Sequence, residues 1–270
     1  MGELDGKVAI VTAAGRYRGI GRCAAVALAR LGADIVITGT GRDPSTYPED
    51  EKEMGWRDIE STAEQVREAG RRCLPLVVDV TKSDQVQAMV DRSLEEYGRV
   101  DILVNNAASP RGADRVAVVD LDEDVFRWTM EVKVTGTFLC SRAVARVLAS
   151  QGQGGKIVNI SSVIGKTGPL NAAAYAAANS AVHGFTMSFA REMSAHNVNV
   201  NTICPGTIDT FRNDAMGREE VWREAIGRIP LQRAGTPEEI ADCIAFLCTG
   251  SASYIQGQCI NVNGGLVMEH

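Results

Sequence analysis

The sequence predicts a doubly wound α/β fold, a single domain built around a parallel sheet of seven strands. Short runs of β-branched and apolar residues alternate with longer helical stretches along the 270 residues, which is typical of parallel strands joined by helical crossovers. The short runs are apolar throughout, so both faces of each strand are expected to be buried. The chain contains no internal repeat and no low-complexity region, and we therefore expect one domain over residues 1–270.

The strands and helices are assigned from these runs in chain order. The predicted strands are Lys7–Thr12, Ala33–Thr38, Cys73–Val80, Val100–Asn105, Gly155–Ile160, Val198–Ile203 and Cys259–Val262. The predicted helices are Gly21–Leu31, Asp58–Ala69, Asp84–Tyr97, a long or broken helix over Asp122–Ser150, Tyr175–Ala195 and Pro237–Cys248. Two stretches break the alternation: Gly39–Trp56, and Pro205–Arg233 with a short helical pattern around Glu219–Ile226. Segments of this length in a compact domain tend to be functional loops.

Composition and charge exclude several classes of function. The net charge is −6 at pH 7 and the pI is about 5.2, whereas nucleic-acid and anionic-membrane surfaces need clustered lysine and arginine. No run approaches the roughly 18 apolar residues of a membrane span, and the charged N-terminus runs directly into a strand, unlike a signal peptide. The cysteines and histidines match no metal-ligand spacing. We therefore expect a cytoplasmic protein with reduced thiols, no metal site, and no nucleic-acid or membrane partner.

A glycine-rich turn joins the first strand to the first helix, and it carries Gly15, Gly19, Ile20 and Gly21. Without a Cβ the backbone can approach a pyrophosphate, and the N-terminus of the following helix offers free N–H groups and the positive end of its dipole. In a doubly wound sheet, ligands bind outside the carboxyl ends of the strands. The turn is therefore predicted to bind a dinucleotide.

Two further strand ends fit the same ligand. Asp79-Val80 closes the third predicted strand, where an acid can accept a hydrogen bond from an adenine amino group; taken alone, Asp79 would equally be a loop-capping acid. Asn105-Asn106-Ala107-Ala108 closes the fourth strand, where small side chains leave room for a flat ring. Together these positions predict a Rossmann-like dinucleotide site.

These motifs resemble the short-chain dehydrogenase/reductase family, in its subclass of roughly 250 residues, and are similar to those of 3-oxoacyl reductases. The resemblance extends over essentially the whole chain and adds Ser161-Ser162, Tyr175, Pro205-Gly206 with Thr210, and Gly257-Gln258 with Gly264-Gly265. It implies a nicotinamide cofactor, hydride transfer to or from a carbonyl carbon of a small molecule, and a homotetramer or homodimer. The cofactor contacts that it implies are Gly15, Arg18, Gly19, Ile20, Gly21, Arg42, Asp79, Val80, Asn106, Ala107, Tyr175, Asn179, Pro205, Gly206, Ile208 and Thr210.

The end of the second predicted strand decides the expected form of the cofactor. NAD-binding sites hold the ribose 2′-hydroxyl with an acid after this strand, and Gly39 stands at that position. Arg16, Arg18 and Arg42 are close in sequence and would suit a 2′-phosphate. NADP(H) is therefore favoured, while NAD(H) stays possible if a shifted loop brings in Asp43. The glycine-rich turn is also slightly longer than the family norm.

Ser162 and Tyr175 match the family's catalytic pair. The resemblance makes Tyr175 the general acid or base and Ser162 the group that orients the substrate oxygen, while Ser161 is expected to pack into the end of the sheet. A phenol with an ordinary pKa near 10 needs a nearby cation to act as a base at neutral pH, and the family supplies a lysine one helical turn after the tyrosine. Asn179 stands there instead, while Lys133 stands where the family has an asparagine, in the helix after the fourth strand.

Three interpretations of this apparent exchange remain open. In the first, Lys133 supplies the cation from the opposite wall and Asn179 hydrogen-bonds the ribose, so that the protein is a reductase or dehydrogenase of C=O or related C=N groups. In the second, it is a cofactor-binding protein with little or no redox activity. In the third, it is a lyase or isomerase on the same scaffold. A solvated helix lysine would explain Lys133 alone, but reciprocal substitution at two coupled positions favours the first interpretation.

The sequence narrows the substrate only to a broad class. Specificity in this fold lies in the loop after the sixth strand, here about residues 207–233. Phe211, Met216 and Trp222 lie among several charged residues in this loop. They indicate a small to medium-sized, partly apolar substrate.

Overall fold

The predicted sheet is present in the computed structural model, which describes residues 2–269. Within that range its strands are β1 Val8–Val11, β2 Asp34–Gly39, β3 Cys73–Val77, β4 Ile102–Asn105, β5 Gly155–Ile160, β6 Val198–Pro205 and β7 Cys259–Val262. All neighbouring pairs are parallel, in the order β3-β2-β1-β4-β5-β6-β7. Because β1 pairs with β2 on one side and with β4 on the other, the order reverses there and a ligand crevice opens at their carboxyl ends. The predicted Rossmann-like α/β fold is confirmed.

Helices cover both faces of the sheet. They are α1 Ile20–Arg30, α2 Glu49–Glu53, α3 Ile59–Glu68, α4 Ser83–Tyr97, α5 Glu123–Met130, α6 Gly136–Gln151, α7 Ile164–Thr167, α8 Ala173–Ser194, α9 Phe211–Asp214, α10 Glu220–Gly227 and α11 Pro237–Cys248. Alternate residues of β1 fall into two separate cores, Ala9 and Val11 in one, Val8 and Ile10 in the other. This arrangement explains why the strands are apolar throughout. None of the helices within residues 2–269 is long and apolar enough to cross a bilayer.

Most predicted elements agree with the structure to within two residues at each end, and two differ more. β3 ends at Val77 rather than Val80, because Asp79 Oδ1 accepts hydrogen bonds from the backbone N–H (2.9 Å) and the hydroxyl (2.8 Å) of Thr81 and turns the chain out of the sheet. The predicted helix over 122–150 is divided into α5 and α6 by a π-helical turn. Such turns often occur at functional sites.

Candidate active site

A large cavity of about 1340 Å³ opens at the carboxyl edge of the sheet. Its lining contains most of the residues that the sequence predicts for the site: Gly15, Arg18, Gly19, Ile20, Arg42, Asp79, Val80, Asn106, Ala107, Lys133, Ser162, Tyr175, Pro205, Gly206, Ile208 and Thr210. Gly21 and Asn179 are the predicted residues that stay outside this lining. Among residues 2–269, no group of three or more His, Cys, Asp or Glu side chains could hold a metal ion.

The glycine-rich turn lets α1 approach the strand ends closely. A Cβ on Gly21 would lie 2.6 Å from Nδ2 of Asn106 and 2.8 Å from the carbonyl oxygen of Ala13, so a larger residue would not fit. The same Nδ2 donates to the carbonyl oxygens of Thr12 and Ala13, both at 3.0 Å, and holds the turn to the end of β4. Gly19 is the extended N-cap of α1 and brings no side chain to the helix end. The N-terminus of α1 therefore fits a pyrophosphate.

The segment between β2 and α3 forms one wall of this cradle. Trp56 Nε1 donates to the carbonyl oxygen of Gly15 (2.7 Å). Glu51, which is buried on α2, accepts a hydrogen bond from the backbone N–H of Tyr17 (2.9 Å). The predicted loop Gly39–Trp56 thus contains a short helix, and it supports the longer turn from outside.

Arg18 is bound by acids from two other segments. Its guanidinium pairs with Asp50 (2.8 Å), Asp209 (3.3 Å) and Asp214. The hydrogen bonds that Arg18 donates to the carboxylate of Asp214 raise the pKa of Arg18. Arg18 therefore ties the turn to the loop after β6, and its positive charge is balanced by the protein itself.

Arg42 is also paired with acids. Its Nη1 donates to Glu51 (2.8 Å), and its Nη2 donates to Asp58 (2.9 Å) and to the carbonyl oxygen of Gly15 (3.1 Å). Arg16 lies 3.7 Å from the same Glu51 carboxylate. A 2′-phosphate would therefore meet guanidiniums that already have carboxylate neighbours.

Asp58 is a buried acid in the cavity lining beside the glycine-rich turn, and its place in the sequence gives no sign of this position. It precedes α3 and has a φ of +52°. A Cβ on Gly39 would lie 3.5 Å from its Oδ2, and a Cβ on Gly15 would collide with its Oδ1. The Asp58 carboxylate thus lies next to position 39, where the family's acid would stand, and Cγ2 of Ile59 is the nearest atom to a Cβ there (2.7 Å). Its Oδ2 is buried without a hydrogen-bond partner among residues 2–269, and such a group can accept from a ligand hydroxyl.

Asp43, the acid considered for the ribose on sequence grounds, has another role in the structure. It is exposed, and its Oδ1 accepts a hydrogen bond from the backbone N–H of Ser45 (2.9 Å). It caps the short 3₁₀ turn Pro44–Thr46. Asp58, at the start of α3, is the acid that lies beside the glycine-rich turn instead.

Lys133 is buried in the wall of the cavity, and only 2% of it is exposed. It lies in the π-helical turn between α5 and α6, and its Nζ donates to the carbonyl oxygens of Ala107 (3.2 Å) and Ile160. Burial, with repulsion from Arg212 as a smaller cause, lowers the pKa of Lys133 to about 7. Lys133 is therefore no solvated helix lysine. It joins the carboxyl ends of β4 and β5.

Asn179 does not fit the predicted contact with the ribose. It is fully buried, and its Nδ2 donates to the carbonyl oxygen of Tyr175 one helical turn earlier (2.7 Å). A Cβ on Gly165 would lie 2.9 Å from the Cβ of Asn179, so α7 covers this side of α8. The Nδ2 group of the amide is thus bonded within its own helix, while its Oδ1 is buried without a hydrogen-bond partner among residues 2–269. The role of Asn179 is corrected from cofactor binding to packing between α7 and α8.

Ser162 and Tyr175 are both largely buried and both line the cavity. The Oγ of Ser162 accepts from the backbone N–H of Ile164 (3.2 Å), which leaves its own O–H as a donor. Ser161 also lines the cavity, but its Oγ is bonded to α8, where it lies 2.7 Å from Nε2 of His183 and donates to the carbonyl oxygen of Asn179 (3.2 Å). The catalytic pair predicted from the sequence therefore faces the ligand space.

Three arginines that the sequence motifs do not single out surround the same tyrosine. The guanidinium carbons of Arg212 and Arg115 lie 4.2 Å and 4.5 Å from the centroid of the Tyr175 ring. Arg111 lines the same cavity. Arg111 and Arg115 follow the motif at the end of β4, and Arg212 lies in the expected substrate loop. Their place after strand ends was the available signal, but sequence spacing does not show which arginines of a loop point inward.

Comparisons with known proteins agree with this geometry. The family described as enoyl-(acyl carrier protein) reductase matches residues 14–267. The chain is 36% identical to 2-dehydro-3-deoxy-D-gluconate 5-dehydrogenase of Escherichia coli, over 97% of this chain and 96% of the relative. It is 37% identical to 3-oxoacyl-[acyl-carrier-protein] reductase FabG of Vibrio cholerae, over 98% of this chain and 99% of the relative.

Solved structures also resemble this chain over nearly its whole length. A short-chain type dehydrogenase/reductase from Mycobacterium marinum superposes with a TM-score of 0.83 at 30% identity, over 98% of this chain and 97% of the other. Acetoin dehydrogenase from Enterobacter cloacae superposes with a TM-score of 0.79 at 38% identity, over 96% and 95%. The chain belongs to the short-chain dehydrogenase/reductase family. It is therefore an oxidoreductase that uses a nicotinamide cofactor.

Proposed function

We propose that the protein transfers a hydride between NAD(H) and a carbonyl or alcohol carbon, or the related C=N carbon, of a small to medium-sized, partly apolar substrate. The observation that carries this proposal is that Ser162, Tyr175 and Lys133 line one cavity with the glycine-rich turn. Phe211 and Met216, from the expected substrate loop at about residues 207–233, line the same cavity.

In this proposal Tyr175 exchanges the proton and Ser162 orients the oxygen. The bound nicotinamide supplies or accepts the hydride. In the direction of reduction, the Ser162 hydroxyl donates a hydrogen bond to the substrate oxygen, and Tyr175 passes its phenolic proton to that oxygen. Proton transfer by a positioned side chain of this kind contributes about 100-fold to 10,000-fold in rate.

Lys133 takes the place of the family's usual lysine as the cation of the site. Its ammonium group reaches the end of β4 from the π-helical turn, through its bond to Ala107. Lys133 and Asn179 therefore do not simply exchange roles. Lys133 lines the cavity, whereas Asn179 packs between α7 and α8.

NAD(H) replaces the NADP(H) that the arginines alone would favour. The free Oδ2 of Asp58 is placed to accept a hydrogen bond from a ribose 2′-hydroxyl. A 2′-phosphate there would bring a second negative group against a buried carboxylate, which is costly unless each charge is paired. Arg42 is the nearest cation to Asp58, and it is already shared with Glu51.

Turnover tests this function directly. Absorbance of NADH and NADPH is followed against ketones, imines and quinones, with Tyr175→Phe as the variant and Tyr254→Phe, at a fully exposed tyrosine, as the control. We expect Tyr175→Phe to lower kcat at least about 100-fold and the control to leave it unchanged.

Lys133→Asn should also lower kcat, and adding Asn179→Lys should restore part of it. Tight NADH binding without turnover of any compound would favour a lyase, an isomerase or a cofactor-binding protein instead.

We also propose a homotetramer, with a homodimer as the alternative, working in the cytoplasm. The family resemblance implies the assembly, and exposed apolar side chains at Phe138 on α6 and Met187 on α8 support it. The seven cysteines all carry free thiols, which suits a reducing compartment. Light scattering on the purified protein measures the assembly.

A further inference from the structure

We propose that the substrate carries a negatively charged oxygen group, a carboxylate or a phosphate, which binds to Arg111, Arg115 and Arg212 beside Tyr175. This inference rests on the proposed function, because it names the class of compound that the same site would oxidise or reduce. We call these three arginines the tyrosine cluster.

The tyrosine cluster holds more positive charge than the surrounding protein balances. Asp114 is the acid of its ion pairs, at 3.4 Å from Nε of Arg115 and 3.8 Å from Nη2 of Arg212. Arg111 has no ion pair within residues 2–269, and its Nη1 donates to the neutral Oδ1 of Asn213 (3.2 Å). Two guanidiniums therefore share one carboxylate, and the third has no carboxylate partner within residues 2–269.

Several of the guanidinium N–H groups are buried and unsatisfied. Nε and Nη2 of Arg115, and Nη2 of Arg212, have no hydrogen-bond partner in the described part of the chain. Oδ2 of Asp114 is also buried without a hydrogen bond, so its ion pairs with Arg115 and Arg212 leave these donors unsatisfied. Buried donors of native proteins almost always find a partner, so such a set indicates a missing ligand or solvent. Guanidinium forks match the geometry of carboxylate and phosphate oxygens.

The electrostatics show the same imbalance. Burial, followed by the charges of Arg115 and Arg212, lowers the pKa of Arg111 to about 10. Burial also lowers the pKa of Arg115, although Asp114 opposes this effect. An anion bound among these side chains would relieve both the repulsion and the cost of burial.

The position of the cluster separates this anion from the phosphates of the cofactor. Arg115 and Arg212 contact the ring of Tyr175, which is the proposed proton donor, whereas the cradle that fits a pyrophosphate lies at Gly19 and the start of α1. Arg212 Nε also donates to the carbonyl oxygen of Ser109 (3.2 Å), so the cluster is fixed between the loop after β4 and the substrate loop. The charged group of the substrate would lie close to its reacting carbon.

Matched pairs of acids and neutral amides test the proposal. Oxo acids and phosphorylated ketones are compared with the corresponding primary amides and unphosphorylated ketones, using the wild type, Arg115→Met, Arg212→Met and, as a control, the exposed Arg191→Met on α8. We expect kcat/KM of the wild type to favour the charged member of a pair by about 50-fold, as the loss of charge-assisted hydrogen bonds predicts. Arg115→Met and Arg212→Met should lose most of this preference, while the control and the NADH dissociation constant should not change. Equal use of charged and neutral compounds, or a preference that survives both substitutions, would overturn the proposal.

A binding measurement separates this inference from the proposed function. Succinate and inorganic phosphate, each titrated alone, should raise the Tm of the wild type and of Arg191→Met but not of Arg115→Met. If this occurs without turnover of any compound, the anion site stands and the redox proposal fails. If neither anion raises Tm in an Arg115-dependent way, the anion site fails, whatever the turnover results. The anion that raises the Tm of the wild type more indicates whether the site prefers a carboxylate or a phosphate.

Discussion

The two ends of the cavity use the same residue type with opposite balances of charge. We call Arg16, Arg18 and Arg42 the turn cluster. It faces five carboxylates, those of Asp50, Glu51, Asp58, Asp209 and Asp214. The tyrosine cluster shares Asp114 alone among its ion pairs, and the buried Lys133 adds a further cation nearby.

This difference suggests a criterion for binding-site arginines. We expect an arginine to bind an anionic ligand where the surrounding protein does not balance its charge. In the turn cluster the protein supplies several anions itself, and Nη1 of Arg16 is the one guanidinium nitrogen there that is buried without a hydrogen-bond partner among residues 2–269. The arginines of this cluster therefore fix loops to one another, and we propose that a neutral ribose hydroxyl binds the remaining carboxylate oxygen of Asp58. In the tyrosine cluster three donors are unpaired, and we propose that an anionic ligand supplies their partner. The balance of charge around an arginine, and not its presence in a motif, predicts what it binds.

The largest expected effect concerns the excess of positive charge near Tyr175. Lys133 has a pKa of about 7 in the folded protein, against about 10.4 for a free lysine. Between these values the unfolded chain binds the extra proton, so the stability of the wild type rises with pH through this window and is lowest, with respect to this group, below pH 7. Relative to Lys133→Met, the free energy of unfolding of the wild type should rise by about 4 kcal/mol between about pH 6 and pH 10.

Urea unfolding at a series of pH values measures this difference. Lys52→Met is the matched control, because it removes a lysine that is exposed. A Lys133→Met difference that stays constant with pH would mean that Lys133 keeps an ordinary pKa and that the cavity wall tolerates its charge.

The second prediction concerns the acid of the turn cluster. Asp58→Asn keeps the size of the side chain and removes its charge, so it should weaken NADH binding and strengthen NADPH binding. Together the two changes should shift the ratio of their dissociation constants by about 100-fold. Fluorescence titration of both cofactors measures this ratio without requiring turnover. Asp43→Asn is the control, since Asp43 is exposed and caps a turn, and a shift at Asp43 with none at Asp58 would reverse the assignment.

The sequence predicted the fold and the side chains that belong to local motifs. Strand and helix periods depend on neighbouring residues, and Ser162, Tyr175 and the glycine-rich turn have fixed spacing along the chain. Asp58 and Arg212 act far from the motifs that they join, through tertiary contacts, and no local pattern marks them. Asn179 shows the opposite case. Its position in a motif predicted a ligand contact, but α7 packs against it and its Nδ2 donates to the carbonyl oxygen of Tyr175 in its own helix.

The smallest expected effect tests whether a fully paired arginine matters for the cofactor. Arg18 is partly exposed, and its three acids also lie partly in solvent. Ion pairs of this kind contribute little because solvent screens them. We expect Arg18→Met to lower the free energy of unfolding by about 1 kcal/mol and to leave the ratio of NADH to NADPH dissociation constants unchanged.

Urea unfolding and the same fluorescence titrations on Arg18→Met provide the measurement, with Arg115→Met as its counterpart in the tyrosine cluster. If Arg18→Met selectively weakened NADPH binding about tenfold or more, Arg18 would be free enough to bind a 2′-phosphate despite Asp50, Asp209 and Asp214. The proposal that the arginines of the turn cluster are paired within the protein and bind no 2′-phosphate would then be wrong. If instead Arg18→Met changes only stability while Arg115→Met changes only anion binding, the same residue type serves structure at one end of the cavity and recognition at the other, and the local count of carboxylates is what separates them.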